Sequence, residues 1–549
     1  FGRALDAAKL DRGVLDFGDL EHGALRLLYT GEGKDRRPSE IAFSLREQYE
    51  EILVDEYQDT NGTQELIFSA LAREEGNLFL VGDVKQSIYR FRQARPENFL
   101  EKKERYFPYE SGRFPAKISL SANFRTRQET TGLINYLFSL VMSPKVGEMD
   151  YGPEDALYAK AAYDESQHLP VELMVVDPAL FPDEDPVALE ARYVAERIDG
   201  MLREKILVTD KSGPRPIEPR DICILLRSPK NKSERYLREL EARSIRYWAD
   251  SQGGFLEAKE IAPVVSYLKI LVNPMVDLEL AQVLGSALYG FTSQQLAQVR
   301  QKAEKEPLFL GVRQLAGEGD EPCRRFLEDY TILRREALSQ PAQGVIQMIY
   351  TLTGLEQKAL AMPQGEVRQG NLHLLMEAAA SYTGSVGGDF SDFVTYLYAL
   401  EQYEEDLPSA TAAAGNAVSV MSVHKSKGLE FPVVFLCDTA ASFNLMDLNA
   451  DVQLHPELGF ACILRDNRRM LQHKTLPLAA VRLENKRATL SEELRILYVA
   501  MTRARERLII TANDKGLQRM EKLAAQPMEA GKVSGWTART ASCYYDWLA

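Results

Sequence analysis

The apolar positions change period along the chain. In "LDFGDLEHGALRLL", Phe17, Leu20, Ala24 and Leu27 recur at helical spacing. After the polar break "TGEGKDRRPS" the period gives way to a continuous apolar run in "EILVDE", which predicts a buried strand. A helix from about residue 63 to 73 follows, then the strand "NLFLVGD", the strand "KISLSANF" and the helical "TRQETTGLINYLFSLV". From about residue 170 the alternation repeats as "PVELMVVD", a helix over about 185–204, and "DICILLRS". Wholly apolar strands separated by helices predict an α/β fold with a parallel sheet covered on both faces. Between about residues 258 and 403 the strand signal stops, and "IAPVVSYLKILV", "LELAQVLGSAL" and "FSDFVTYLYALEQY" predict a separate helical domain. The small-residue linker "LPSATAAAGNA" closes it, and strands resume in "AVSVMSVHKSKG" and "FPVVFLCD". The helical block therefore reads as an insertion into a second α/β domain.

Length and composition narrow this only a little. A chain of 549 residues accommodates about three to four domains. Its 45% hydrophobic and 27% charged residues are those of a globular protein. No apolar run is long enough to span a bilayer, so no membrane partner is expected. The opening "FGRALDAAKLDRG" does not read as a signal peptide. Five scattered cysteines form neither a zinc knuckle nor a disulfide framework, and they fit a reducing cytoplasm. The net charge of −14 argues weakly against a nucleic-acid partner, yet "KQSIYRFRQARP" and "RILYVAMTRARERL" are basic islands. Bulk charge does not decide the partner.

Five stretches can carry chemistry, and each has a plainer reading. In "ILVDEYQDT", Asp55 can hold Mg²⁺ and Glu56 can orient and deprotonate a water that attacks a γ-phosphate; an acidic turn at a strand end is the alternative. In "LFLVGDVKQSIYRFRQA", Gln86 can report a terminal phosphate, while Tyr89, Phe91 and Arg92 offer rings beside cations for single-stranded bases. The alternative is that the two rings are core positions of a strand. In "LSANFRT", Arg125 can stabilise charge on a phosphoryl group or simply form a surface ion pair. The loop of "VMSVHKSKGLEFPVVFL" offers His424 and Lys427 to a nucleic-acid backbone and Glu430 to a ribose. In "EELRILYVAMTRARERLII", Arg503 sits on a predicted helix before a strand, where arginines are usually only solvated.

In this order the five stretches resemble the motor motifs of superfamily 1 helicases of the UvrD, Rep and PcrA kind. "DEYQDT", "VGDVKQSIYRFRQA", "VHKSKGLEFPVV" and "LRILYVAMTRARERL" resemble motifs II, III, V and VI, and "SANFRT" resembles motif IV. The stretch between motifs V and VI, and the closing "ASCYYDWL", are similar to the AddA helicase-nuclease subunits within that superfamily.

The resemblance implies RecA-like motor domains. Residues 1–117 would be part of the first, 118–257 with 412–549 the second, and 258–411 the helical insertion. It implies ATP and Mg²⁺ as cofactors, with Asp55 as the metal carboxylate, Glu56 as the base, Gln86 as the γ-phosphate sensor, and Arg125 and Arg503 as paired arginine fingers. Glu430 would hold the ribose, and Tyr89, Phe91, Arg92, His424 and Lys427 would contact DNA. Implied partners are single-stranded DNA, duplex being unwound, and an AddB-like subunit, in 3′ to 5′ translocation during double-strand break repair.

Two departures matter. Position 91 is Phe where the family commonly has Trp, and the chain has no G-x-x-x-x-G-K-[ST] stretch, since "GEGKDRR" and "GKVSG" both fail the pattern. The expectation is that the phosphate loop lies upstream of Phe1 and a nuclease domain downstream of Ala549. The chain alone would then be inactive, with an exposed sheet edge. The alternatives are a non-catalytic DNA-binding scaffold and a stand-alone UvrD-like repair helicase.

Overall fold

The computed structural model describes residues 2–549 except 32, 74–75, 164–168, 211–212, 231, 250–254, 363–364, 403–415, 467, 527 and 530. Two compact units form: Phe1–Ile217 with Asp221–Arg227 and Met421–Ala549, and Glu218–Arg220 with Ser228–Val420. Most of the expected linker "LPSATAAAGNA", and with it the boundary expected at 411, lies outside the described residues.

In the first unit the acidic stretch begins on β1 (Ile52–Val54), which pairs in parallel with β2 (Leu78–Leu80), Ile52 opposite Leu78. Helix α1 (Gly62–Leu71) joins them. It starts where the sequence supplies a reciprocal cap: Asn61 accepts from the Gln64 N–H, and the Gln64 side chain accepts from the Asn61 N–H. Leu53 and Phe79 point to solvent, 69% and 58% exposed. Phe79, Val81, Ile118 and Leu120 line an apolar cleft of about 430 Å³.

The strand expected over "KISLSANF" forms only in part. Ala116–Lys117 pairs with Phe107–Pro108, and Ala122–Asn123 pairs with Tyr158–Ala159. Among the described residues no strand pairs with residues 118–121. Apolar alternation does not hold a strand whose backbone groups lack a ladder partner.

The remaining elements build one parallel sheet. They are α2 (Gln128–Val141), β3 (Glu172–Val176), α3 (Pro186–Glu204), β4 (Ile222–Leu226), β5 (Phe431–Cys437), α4 (Leu476–Met501) and β6 (Ala504–Asn513). The order is β4–β5–β6–β3, all parallel, and Leu225, Leu436, Ile510 and Leu173 lie in one row across it. Every residue of β4 is buried, as a strand covered on both faces requires. Helix α4 buries almost its whole last three turns, including Glu493 and Arg495. Arg503 therefore stands in the turn after α4, not on the helix as its sequence setting suggests.

The second unit is helical from Ala262–Val272 to Phe390–Gln402, with no strand between them among the described residues. Its core gathers Tyr267, Leu268, Val283, Phe326, Ile346 and Phe393. No described helix is long and apolar enough to cross a membrane.

Candidate active site

The acidic turn is held in an unusual backbone. Glu56 adopts the left-handed conformation, φ 49° and ψ 37°, between the strand and the short turn Tyr57–Asp59. A non-glycine residue there costs on the order of 1 kcal/mol and is over-represented at functional sites. The Glu56 N–H donates to Asp55 Oδ1 at 2.8 Å, which ties the two carboxylate residues together. Gln58 is buried and bridges two strands: its Nε2 donates to Glu56 Oε2, and its Oε1 accepts from the Asp83 N–H at 2.9 Å. Gly82 makes that approach possible, because a Cβ there would collide with Gln58 Oε1. Gln86 is oriented by Asp83, Nε2 to Oδ2 at 3.0 Å.

Lys427 is not on the nucleic-acid side, where its sequence setting placed it. Its side chain is 6% exposed, and its ammonium pairs with Asp59, lies 3.3 Å from Glu56 Oε2 and donates to the Gln86 carbonyl at 2.9 Å. A buried ammonium needs anionic partners, and the acidic turn supplies them. Gly428, at φ +83°, gives the turn that brings Lys427 there. Asp59 and Gln58 are the functional-site residues that sequence reasoning passed over. Their signal was the second acid of "DEYQD", three residues after Glu56. Burial raises the Asp59 pKa against the opposing pull of Lys427, and its Oδ1 has no hydrogen-bond partner among the described residues.

Tyr89, Phe91, Arg92 and His424 form one cluster. Tyr89 and Phe91 meet edge to face at 5.7 Å, His424 lies 5.7 Å from Phe91, and Arg92 sits 5.3 Å over Tyr89 and 5.8 Å from the Phe91 centroid. Residues 90–92 are a short 3₁₀ turn, so the rings are not alternate positions of a strand, and Phe91 is 67% exposed. An exposed ring backed by an arginine is a surface on which a base can stack.

Burial lowers the His424 pKa from its ordinary 6.5 to about 4, helped by Arg227 and opposed by Glu493 and the Ile88 backbone. The imidazole is neutral at pH 7 and brings no charge to a phosphate. Between pH 6.5 and about 4 the folded protein binds fewer protons here than the unfolded chain. The associated stability is complete above pH 6.5 and is lost as pH falls toward 4, about 3 kcal/mol in all. An NMR titration of the His424 imidazole is expected to show a midpoint near pH 4. A midpoint at its ordinary value would contradict this environment.

The third group is basic. Arg125 pairs with Glu430, both side chains 40% exposed, and Arg505 Nε lies 3.9 Å from the same carboxylate. Asn123 makes the turn before it, its Oδ1 accepting from the Arg125 N–H at 2.9 Å. Arg503 is 2% exposed and spends its guanidinium on neutral oxygens: Val499 O at 3.0 Å, Leu429 O at 3.1 Å and Thr502 Oγ1 at 3.0 Å. Burial, reinforced by the Arg125 charge, lowers its pKa to about 10, with Glu56 and Glu430 acting in the opposite direction. A desolvated cation without a paired carboxylate among the described residues is an anion-binding element.

Among the described residues, no group of three or more His, Cys, Asp or Glu gathers as a metal cage. Magnesium held chiefly by phosphates and water needs only one or two protein carboxylates. The exposed Asp55, beside Glu56, meets that requirement.

Comparison with known proteins agrees with this arrangement. Residues 2–107 match the UvrD/REP helicase N-terminal domain family, and residues 180–515 match the UvrD-like helicase C-terminal domain family. The chain is 35% identical to the ATP-dependent helicase/nuclease subunit (AddA) of Clostridium beijerinckii, over all of this chain and 47% of that protein. It is 36% identical to proteins of the same name from Acetivibrio thermocellus, over 98% of this chain and 47% of the relative, and Bacillus velezensis, over 100% and 46%. The chain thus spans about half the length of the curated relatives it matches. With both the amino-terminal and carboxy-terminal domain families matched in order, this chain belongs to the UvrD-like helicases.

Proposed function

We propose that this chain is the central motor region of an ATP-driven DNA helicase of the AddA helicase/nuclease type. One observation carries the reading: within a single compact unit, Gln86 beside the acidic turn is only three residues from Tyr89, at the edge of the exposed aromatic cluster. A terminal phosphate and a stacked base would thus be sensed by the two ends of one short turn. Residues 1–117 would belong to the first motor domain, 118–257 with 412–549 to the second, and 258–411 to a helical insertion.

In this reading Glu56 takes the proton of the attacking water, and the Gln86 amide contacts the γ-phosphate. Arg125 and Arg503 stabilise the charge on the transferred group. Glu430 contacts the ribose, and Asp55 would hold the magnesium ion, which neutralises phosphate charge when bound. Tyr89, Phe91 and Arg92 take the single strand, with neutral His424 packed beside them. Lys427 links the acidic turn to Gln86 and acts on DNA only through Tyr89. The cellular role we infer is 3′ to 5′ unwinding at double-strand breaks in the cytoplasm, alongside an AddB-like subunit.

The strand-binding part makes a separate prediction. Phe91→Ala is expected to weaken binding of a single-stranded oligonucleotide by about 1–3 kcal/mol, and Phe91→Trp to tighten it. Fluorescence anisotropy measures both; unchanged affinity in Phe91→Ala would remove Phe91 from the strand path.

ATP turnover tests the whole reading, measured with and without a single-stranded oligonucleotide on the full-length protein and on this chain alone. Turnover in the full-length protein should be DNA-stimulated. The chain alone, without a phosphate-loop sequence, should show little. Turnover by the chain alone that Glu56→Gln abolishes would mean that another part of it cradles the phosphates.

A further inference from the structure

Arg495 is completely buried in α4, two turns before Arg503, and has no part in the chemistry proposed above. Its contacts all lead to one place. Nε donates to the Ser87 carbonyl at 2.8 Å, and Nη1 donates to Glu148 Oε2 at 3.0 Å and to Ser491 Oγ at 2.6 Å. Nη2 finds no hydrogen-bond partner among the described residues. Glu148 also holds Arg90, 3.3 Å from its Nη1, and does so from a left-handed backbone at φ 62°. One helical turn before Arg495, Glu492 accepts the Arg90 N–H at 2.9 Å. The segment from Ser87 to Arg90 is therefore gripped at both ends by α4 and Glu148.

That segment lies between Gln86 and the Phe91–Arg92 platform. A buried ion pair with one nitrogen unsatisfied is poor evidence for stability, since an apolar side chain of similar volume often serves the fold as well. What an apolar residue cannot do is hold a backbone carbonyl and a carboxylate in fixed directions at once. We propose that Arg495, with Glu148, is a positioning residue that locks the Ser87–Arg90 turn to the helix leading to Arg503. Occupancy of the aromatic platform is thereby passed to Gln86 and Arg503.

The inference rests on the proposed function, and its test separates the two. ATP turnover of the full-length protein is measured without DNA and at saturating single-stranded oligonucleotide, for wild type, Arg495→Met, Arg495→Lys and Glu148→Gln. Arg495→Met is expected to keep its thermal midpoint within a few degrees and its DNA-free rate and ATP KM within about twofold, while DNA-stimulated kcat falls at least about tenfold. The single ammonium of Arg495→Lys reaches the Ser87 carbonyl or Glu148 but not both, so it should recover only part of the stimulation. Wild-type stimulation in a folded Arg495→Met protein would overturn the inference. So would a DNA-free rate that falls by the same factor as the stimulated one. Should Arg495→Met fail to fold, the nearly isosteric Glu148→Gln decides: lost stimulation supports the inference, and full stimulation overturns it. Wild type without DNA stimulation would overturn the proposed function together with this inference.

Discussion

Glu56→Gln is expected to lower the DNA-stimulated kcat of the full-length protein by about 10²–10⁴-fold, the usual contribution of a positioned general base. The substitution keeps side-chain volume and can still accept the Gln58 hydrogen bond, so fold and nucleotide affinity should hardly move. The left-handed Glu56 backbone is set by its neighbours, not by its carboxylate: the Glu56 N–H is held by Asp55, and Tyr57 N–H donates to Val81 O at 2.9 Å. ATP KM and oligonucleotide affinity should therefore stay near wild type while kcat falls. A loss confined to KM would instead make Glu56 a binding residue only, and the attacking water would need another base.

Arg503 should be nearly as sensitive, by a different route. Removing an arginine finger costs about 10³–10⁵ in kcat, and Arg503→Lys keeps the charge but not the planar fork. Its buried guanidinium satisfies the Val499 and Leu429 carbonyls, so Arg503→Ala adds a structural loss of about 1–3 kcal/mol from unpaired backbone groups. Arg503→Lys is the cleaner variant. We expect kcat to fall at least about 10²-fold with a thermal midpoint near wild type. A kcat within about twofold of wild type would leave Arg503 with a purely structural role as a cap after α4.

How far the sequence reaches can be seen element by element. Strands β4, β5 and β6 were legible because a parallel strand covered on both faces must be apolar throughout, and "ICILL" and "FPVVFLC" are. Helix α3 was legible to within a residue because Asp185 and Pro186 mark its start. "KISLSANF" was misleading because alternation records what could face a core, not whether a neighbouring strand is there to pair with.

Within the site, local groupings were readable: Tyr89, Phe91 and Arg92 are within four residues of one another. Long side chains were not. Lys427 has a flexible stem, and its choice of Asp59 over a phosphate depends on a contact across 368 positions. Arg495 looked like one more charge on a helix, and only its contacts with Ser87 and Glu148 give it a role. The neutrality of His424 was equally hidden, because burial is a property of the packed neighbours and not of the residue.

If one cluster binds the strand, another hydrolyses ATP, and a short turn connects them, the two activities can be damaged separately. Titrating single-stranded oligonucleotide into the full-length protein while following ATP turnover shows whether they can, with Phe91→Ala and Glu56→Gln compared with wild type. Phe91→Ala is expected to raise the half-saturating oligonucleotide concentration by about 5–100-fold with a smaller change in maximal rate. Glu56→Gln should lower the maximal rate without moving that concentration. If the two variants shift the same parameter together, or if oligonucleotide leaves the wild-type rate unchanged, the division of labour between the two clusters is wrong.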